Sequence, residues 1–158
     1  MEILDRFIIT ELPDKAALDL AHSLETKGPI ELRNDYCYLK LDDRFIHLIQ
    51  PLLTNYGDIE KPDYFIPPEP VGAHVSIIYP EEGVRPLHIY SGQMHDFSIC
   101  GLVKVNYKLM EFYALSVVAP SLAAFREMHH LGPKPTFKGQ EIMFHITVGV
   151  KFKTSKRR

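Results

Sequence analysis

The sequence of 158 residues has no excess of charge of either sign and no long apolar run. Its 18 lysines and arginines nearly balance its 20 aspartates and glutamates, for a formal net charge of −2. This balance argues against a protein that coats nucleic acid by general electrostatic attraction. No apolar stretch approaches the roughly 20 residues that cross a bilayer, and the first residues lack the layout of a secretory signal peptide. The sequence therefore predicts a cytoplasmic protein without membrane association.

Cysteine is scarce, and its placement does not match a structural zinc site. The two cysteines, Cys37 and Cys100, do not form the close pairs that bind zinc. Both lie in apolar, strand-like segments, which predicts two buried free thiols in a reducing compartment. The HExxH motif of metallohydrolases is also absent from the sequence. We therefore expect no resident metal and no cofactor.

The order of strand and helix signals predicts the fold class. Alternating or continuous apolar segments predict strands, and apolar residues at helical spacing predict helices. The predicted strands cover residues 4–12, 36–41, 73–79, 97–107, 111–118 and 141–152, and the predicted helices cover 13–27, 42–57 and 120–130. Prolines make residues 61–70 an extended connection, and Pro51 is expected to kink or split the second helix. The sequence predicts a single α+β domain over residues 1–158, with mostly antiparallel strands and helices packed outside.

Two tetrapeptides repeat one pattern of histidine, apolar residue, hydroxyl residue and apolar residue. They are His74-Val75-Ser76-Ile77 and His145-Ile146-Thr147-Val148, and 71 positions separate the two histidines. Alternate side chains of a strand share one face, so each strand would present an imidazole beside a hydroxyl and bury its apolar face. Each tetrapeptide therefore has the residues of half a phosphate site.

The paired tetrapeptides resemble the signature of the 2H phosphoesterase superfamily, with Ser76 at a position where threonine is commoner. The resemblance implies a two-lobed, pseudo-symmetric domain in which the two motifs face each other across a central cleft. It also implies a metal-independent phosphodiesterase whose catalytic residues are His74, Ser76, His145 and Thr147. The substrates of that superfamily include 2′,3′-cyclic phosphates, 2′,5′-linked oligoadenylates, cyclic dinucleotides and tRNA-splicing intermediates.

The residue types agree with this chemistry. In-line cleavage of a phosphodiester needs a base for the nucleophile and an acid for the leaving oxygen, and two imidazoles near neutral pH can divide that work. The hydroxyls of Ser76 and Thr147 would donate hydrogen bonds to the non-bridging oxygens. We favour His74 as the acid and His145 as the base, although the roles depend on which ester oxygen leaves.

Candidate substrate-binding residues follow from strand alternation and from aromatic character. Lys151 falls on the same strand face as His145 if the strand continues without a bulge. Other basic residues crowd the tail at 151–158. This tail is either solvated or aids the binding of an anionic substrate. The candidates for stacking on a base are Tyr38, Phe137 and Tyr113, whereas alternation places Tyr79 on the opposite face. The loop at 132–140 either closes over a nucleotide or is an ordinary surface loop. We expect a nucleotide or RNA-derived phosphodiester as substrate and no obligatory protein partner.

Two other classes of function remain open on the sequence. One is a nucleotide-binding module without catalysis on the same scaffold, which would bind ligand without turnover. The other is a metal hydrolase that uses four histidines, His74, His88, His95 and His145. Bound zinc and loss of activity to chelators would favour the metal hydrolase.

Overall fold

A computed structural model describes residues 6–67 and 70–153. The strands are β1 (Ile8–Leu12), β2 (Lys27–Arg33), β3 (Tyr36–Lys40), β4 (His74–Ile78), β5 (Met94–Asp96), β6 (Ser98–Tyr107), β7 (Met110–Val118), β8 (Thr136–Phe137), β9 (Gln140–Glu141) and β10 (His145–Phe152). The helices are α1 (Lys15–His22), α2 (Arg44–His47) and α3 (Pro120–Met128). The predicted α+β class with mostly antiparallel strands is confirmed, and the two-lobed pseudo-symmetry stays a prediction.

The two motifs lie on the edge strands of two different sheets. One sheet has the order β1-β6-β7-β10 and the other has the order β4-β3-β2-β5, while β8 and β9 form a separate hairpin. Every strand pair among the described residues is antiparallel. β4 and β10 contact each other where the two sheets meet. The topology therefore brings both motif strands together.

The main core joins these sheets to the helices. Helix α1 is capped by Asp14, whose carboxylate accepts a hydrogen bond of 2.9 Å from the backbone N–H of Ala17. Helix α2 packs against β10, and α3 packs against β4 and β5. Large side chains such as Leu39 and Ile46 are fully buried, and each such burial is worth about 1.5–3 kcal/mol. No helix in the described part of the chain is long and apolar enough to cross a membrane.

Several element boundaries differ from the prediction. The first helix ends at His22 rather than near residue 27, because the Ser23 hydroxyl donates a hydrogen bond to the carbonyl of Leu20. The chain then enters β2, a strand that was not predicted from the sequence. The second helix is split into α2 and a 3-10 turn over Gln50–Tyr56, as expected from Pro51. The last strand begins only at His145 because residues 140–141 pair with β8. Residues 4–5 of the predicted first strand, 68–69 of the connection and 154–158 of the basic tail lie outside the described residues.

The expectation of two buried thiols is wrong for Cys100. Cys37 is buried in β3, and burial raises the pKa of its thiol to about 12. Cys100 is exposed, because a bulge in β6 between Ile99 and Gly101 leaves it without a pairing partner on β7.

Candidate active site

The four motif side chains line one cleft between β4 and β10. The cleft has a volume of about 410 Å³, and His74, Ser76, His145 and Thr147 all contribute to its walls. His74, Ser76 and Thr147 are buried, and His145 is partly exposed. Six aromatic side chains also line the cleft: Phe7, Tyr36, Tyr64, Tyr79, Phe112 and Phe137.

The two histidines are held by equivalent hydrogen bonds. Nδ1 of His74 bonds to the carbonyl oxygen of Gly72 at 2.7 Å, and Nδ1 of His145 bonds to that of Met143 at 2.9 Å. Because a carbonyl only accepts, Nδ1 is the protonated nitrogen in both rings. Nε2 is therefore the atom with a free lone pair in each neutral imidazole, and it is the atom available to a substrate.

Burial lowers the pKa of both histidines. The pKa of His74 falls to about 4, because desolvation outweighs the hydrogen bond to Gly72 and a positive charge on His145 lowers it further. The rings of Tyr38 and Tyr64 pack against His74 with centroids 5.4 and 4.7 Å away, which accounts for this desolvation. Desolvation also lowers the pKa of His145. An anion bound between the rings would raise both pKa values again.

A bulge directly follows the hydroxyl residue of the first motif. Tyr38 pairs with Ser76 and Cys37 pairs with Ile78, so Ile77 has no partner on β3. The extra residue reverses the alternation of side chains beyond it. For this reason the prediction for Tyr79 is wrong: its side chain lines the cleft.

The second motif strand has a bulge at the matching position. Thr147 pairs with Ala114 and Gly149 pairs with Tyr113, so Val148 is the extra residue. Gly149 is required there because a Cβ would clash with the side chain of Ile59.

The second bulge also reverses alternation, and the predicted position of Lys151 is wrong for this reason. Its side chain does not line the cleft, and its Nζ donates to the carbonyl of Tyr56 at 3.3 Å. Lys151 therefore does not share the cleft-facing side of the strand with His145 and Thr147.

The other predicted substrate-binding residues separate into two groups. Phe137 lines the cleft and stacks on Tyr79, with ring centroids 4.6 Å apart. Tyr38 and Tyr113 do not line it: both are fully buried, and their hydroxyls donate to Glu31 and Glu111 respectively. Tyr38 instead packs against the ring of His74.

Phe137 is carried by the β8–β9 hairpin, which the sequence did not predict. Its turn residues Lys138 and Gly139 have φ values of 52° and 75°, as a two-residue hairpin of type I′ requires. The carboxylate of Glu81 accepts their backbone N–H groups at 2.7 and 2.9 Å. The segment directly after the first motif therefore holds the hairpin at the cleft.

A buried ion pair fixes the bulge of β4. Arg126 donates to both carboxylate oxygens of Glu82, at 2.9 and 2.7 Å, and to the carbonyl of the bulged Ile77 at 2.8 Å. The side chains of Arg126 and Glu82 are only 1% and 4% exposed. Glu82 also accepts the backbone N–H of Tyr79 at 2.9 Å. This network satisfies the carbonyl that the bulge leaves unpaired.

Three tyrosines lie beside the motif hydroxyls, and none of them was predicted from the sequence to belong to the site. The hydroxyl of Tyr36 bonds to that of Ser76 at 2.5 Å, and the hydroxyls of Tyr79 and Tyr64 lie close enough to Ser76 and Thr147, respectively, to lower the pKa of each phenol against the larger rise that burial causes. Tyr36 could have been suspected, because it shares a strand face with Tyr38. Tyr64 lies in the proline-containing connection, where no periodic pattern indicates the direction of a side chain.

The four histidines of the metal-hydrolase alternative do not all lie in the cleft. His88 and His95 are outside its walls, and His95 bonds instead to Ser121 at 2.9 Å and Gln93 at 2.7 Å. Within residues 6–67 and 70–153, no group of three or more His, Cys, Asp or Glu side chains is placed to hold a metal ion.

Comparison with known families agrees with this site. The model of a family described as Swiss Army Knife, 2H phosphoesterase domain, matches residues 37–155, which is about three quarters of the chain and includes both motifs. Neither the comparison with curated proteins nor that with solved structures finds a match.

Proposed function

The chain belongs to the 2H phosphoesterase family, and from this premise we propose that it is a metal-independent phosphodiesterase for compact nucleotide substrates. The observation that carries the proposal is the shared cleft: His74 and His145 are both held through Nδ1, and each has a hydroxyl residue on the same strand face. This arrangement supplies an acid, a base and two neutral donors in one cleft.

The different burial of the two histidines supports a division of roles. The His74 residue has the smaller solvent-exposed surface of the two, and its lowered pKa keeps its Nε2 unprotonated as the general base. His145 is partly exposed, and its charge is among the causes that lower the pKa of His74. We therefore assign His145 as the general acid, which reverses the assignment favoured from the sequence.

The proposed hydrolysis is a single in-line displacement. Water forms a bond to phosphorus and passes a proton to Nε2 of His74, while the bond from phosphorus to the leaving oxygen breaks and that oxygen takes a proton from His145. Ser76 and Thr147 donate hydrogen bonds to the non-bridging oxygens as charge grows on them. For a transfer reaction, a substrate hydroxyl takes the place of water.

The dimensions and walls of the cleft favour a compact substrate with an aromatic group. A volume of about 410 Å³ lies at the small end of the range for small-molecule sites. Phe137, Tyr79 and Phe7 form an aromatic wall, with Phe7 and Phe137 stacked at 6.3 Å. A nucleobase could stack on this wall. Among RNA-derived diesters, a nucleoside 2′,3′-cyclic phosphate or a cyclic nucleotide fits these features better than a long oligonucleotide.

We expect turnover of at least one compact phosphodiester in the presence of excess EDTA. The test is a screen of nucleoside 2′,3′-cyclic phosphates, cyclic nucleotides, cyclic dinucleotides and 2′,5′-oligoadenylate, with products identified by mass spectrometry. The double variant His74→Ala/His145→Ala is the matched control for contaminating activity. Tight binding without turnover would instead identify a binding module, and activity that EDTA abolishes and zinc restores would identify a metal hydrolase.

A further inference from the structure

The hydroxyl of Ser76 has an unusual set of neighbours. It bonds to the phenol hydroxyl of Tyr36 at 2.5 Å, and the phenol hydroxyl of Tyr79 lies close enough to interact with it. Thr147 has one such neighbour, the hydroxyl of Tyr64. Each hydroxyl that the proposed reaction uses as a donor is therefore itself in contact with another donor.

The hydrogen-bond donors and acceptors around Ser76 determine where its own proton can point. A serine hydroxyl has one proton and two lone pairs. Burial raises the pKa of Tyr36, Tyr79 and Tyr64, so each phenol keeps its proton over the working pH range. When Tyr36 and Tyr79 both donate to Ser76, its two lone pairs are filled, and its own proton is left to donate elsewhere. The cleft is the open direction, because Ser76 lines it.

The phenols are themselves held in place by ring contacts. Tyr36 packs against Tyr38 with centroids 5.0 Å apart and against Tyr79 at 6.1 Å. Tyr79 stacks on Phe137, and Tyr64 meets the edge of the His74 ring at 4.7 Å. Their hydroxyl oxygens consequently have little freedom to leave Ser76 and Thr147.

Such an arrangement matters most for Ser76. Serine lacks the β-methyl that restricts the side-chain rotamer of threonine, so its hydroxyl is less constrained by its own chain. A donor that is already oriented before the reaction stabilises developing charge without a reorganisation cost. The less constrained hydroxyl, that of Ser76, has two phenol neighbours, and the more constrained one, that of Thr147, has one.

We propose that Tyr36 and Tyr79 are positioning residues for Ser76, and Tyr64 for Thr147, each directing the motif hydroxyl's proton at a non-bridging phosphate oxygen. The inference rests on the proposed function, because it concerns the same cleft and the same reaction. The phenols act through the motif hydroxyls.

Double-mutant cycles test this directly. We expect Tyr36→Phe and Tyr64→Phe each to lower kcat about 10-fold with KM changed less than about two-fold, because a transition-state donor loses its orientation. In the Ser76→Ala background, Tyr36→Phe should lower kcat by less than about two-fold, since its target is gone. The control combines Tyr36→Phe with Thr147→Ala, because Tyr36 acts on Ser76 and not on Thr147. In that background Tyr36→Phe should still lower kcat about 10-fold. Tyr113→Phe, which removes a buried phenol hydroxyl away from the cleft, should leave kcat unchanged.

The outcomes separate the inference from the function on which it rests. Equal effects of Tyr36→Phe with and without Ser76 would overturn the inference while leaving the phosphodiesterase intact. Absence of turnover in the parent protein would overturn the proposed function. In that case the same double-mutant cycles use the Kd for orthovanadate, measured by calorimetry, in place of kcat. There the inference requires Tyr36→Phe to weaken binding about five-fold only when Ser76 is present, and additive effects would overturn it. The Tyr64–Thr147 cycle provides an independent test if a Tyr36 variant does not fold.

Discussion

Replacing either His74 or His145 by alanine should lower kcat at least ~10²-fold while the fold stays intact. A positioned acid or base contributes about 10²–10⁴ to the rate, and each imidazole has a separate proton to move. Because each ring bonds through Nδ1 to a backbone carbonyl two residues earlier and not to a neighbouring strand, its removal leaves the backbone pairing of β4 and β10 in place. The measurement is steady-state kinetics on the best substrate of the EDTA screen, with the unfolding midpoint recorded for each variant.

The control for this prediction is a histidine outside the cleft. His95→Ala removes a ring that bonds to Ser121 and Gln93, and kcat should stay within about two-fold of the parent value. The double variant should be about as inactive as the worse single variant, because the two histidines act as a unit. Full activity in either single variant would rule out the paired mechanism.

Replacing Arg126 by methionine should destabilise the protein by about 3–5 kcal/mol, the usual cost of removing one partner of a buried ion pair. Methionine keeps much of the side-chain volume of arginine. The loss of unfolding free energy therefore comes from the Glu82 carboxylate, which is left without its partner, and from the unpaired carbonyls of Ile77 and Gly132. Urea unfolding should show a lower midpoint with an unchanged m value.

An exposed ion pair provides the matched control. Arg44→Ala breaks the pair with Asp42 at 2.7 Å, but the Arg44 side chain is 62% exposed, and the urea midpoint should hardly move. A loss below about 1 kcal/mol in Arg126→Met would contradict the role given to the buried network. The double variant Arg126→Met/Glu82→Leu should recover part of the lost stability, because it leaves no unpaired charge.

The fold class and the centre of the site could be predicted because they depend on regular patterns. Alternation along β4, β7 and β10 gave strands of the correct type, and the repeated tetrapeptide identified the pair His74 and His145 before any geometry was known. The topology then placed both motifs in one cleft, as their chemistry requires.

The errors at Tyr79 and Lys151 have one physical cause. Each follows a bulge, and a single extra residue moves every later side chain to the other face of the strand. A bulge is not visible in a pattern of apolar residues. Gly149 was the only local hint, since glycine within a strand often indicates a bulge or a close contact.

Other parts of the site depend on contacts between distant segments. Tyr64 meets Thr147 across 83 positions of sequence, and Glu81 holds the hairpin that carries Phe137. Strand β2 was not predicted because Gly28 and Pro29 lie at its start, and its pairing with β3 and β5 outweighs their low strand propensity. Propensity and periodicity describe neighbours along the chain and cannot report such pairings.

The pH dependence of kcat/KM in excess EDTA tests the two-histidine mechanism most directly. The rate should fall at low pH as the base His74 gains a proton, and at high pH as the acid His145 loses one. Because burial lowers both pKa values, the optimum of kcat/KM should lie on the acidic side of 6.5, the usual pKa of histidine. The optimum of kcat should lie at higher pH, since the bound phosphodiester anion favours both imidazolium forms. A single ionisation that rises to a plateau near pH ~7 and disappears with EDTA would contradict the mechanism.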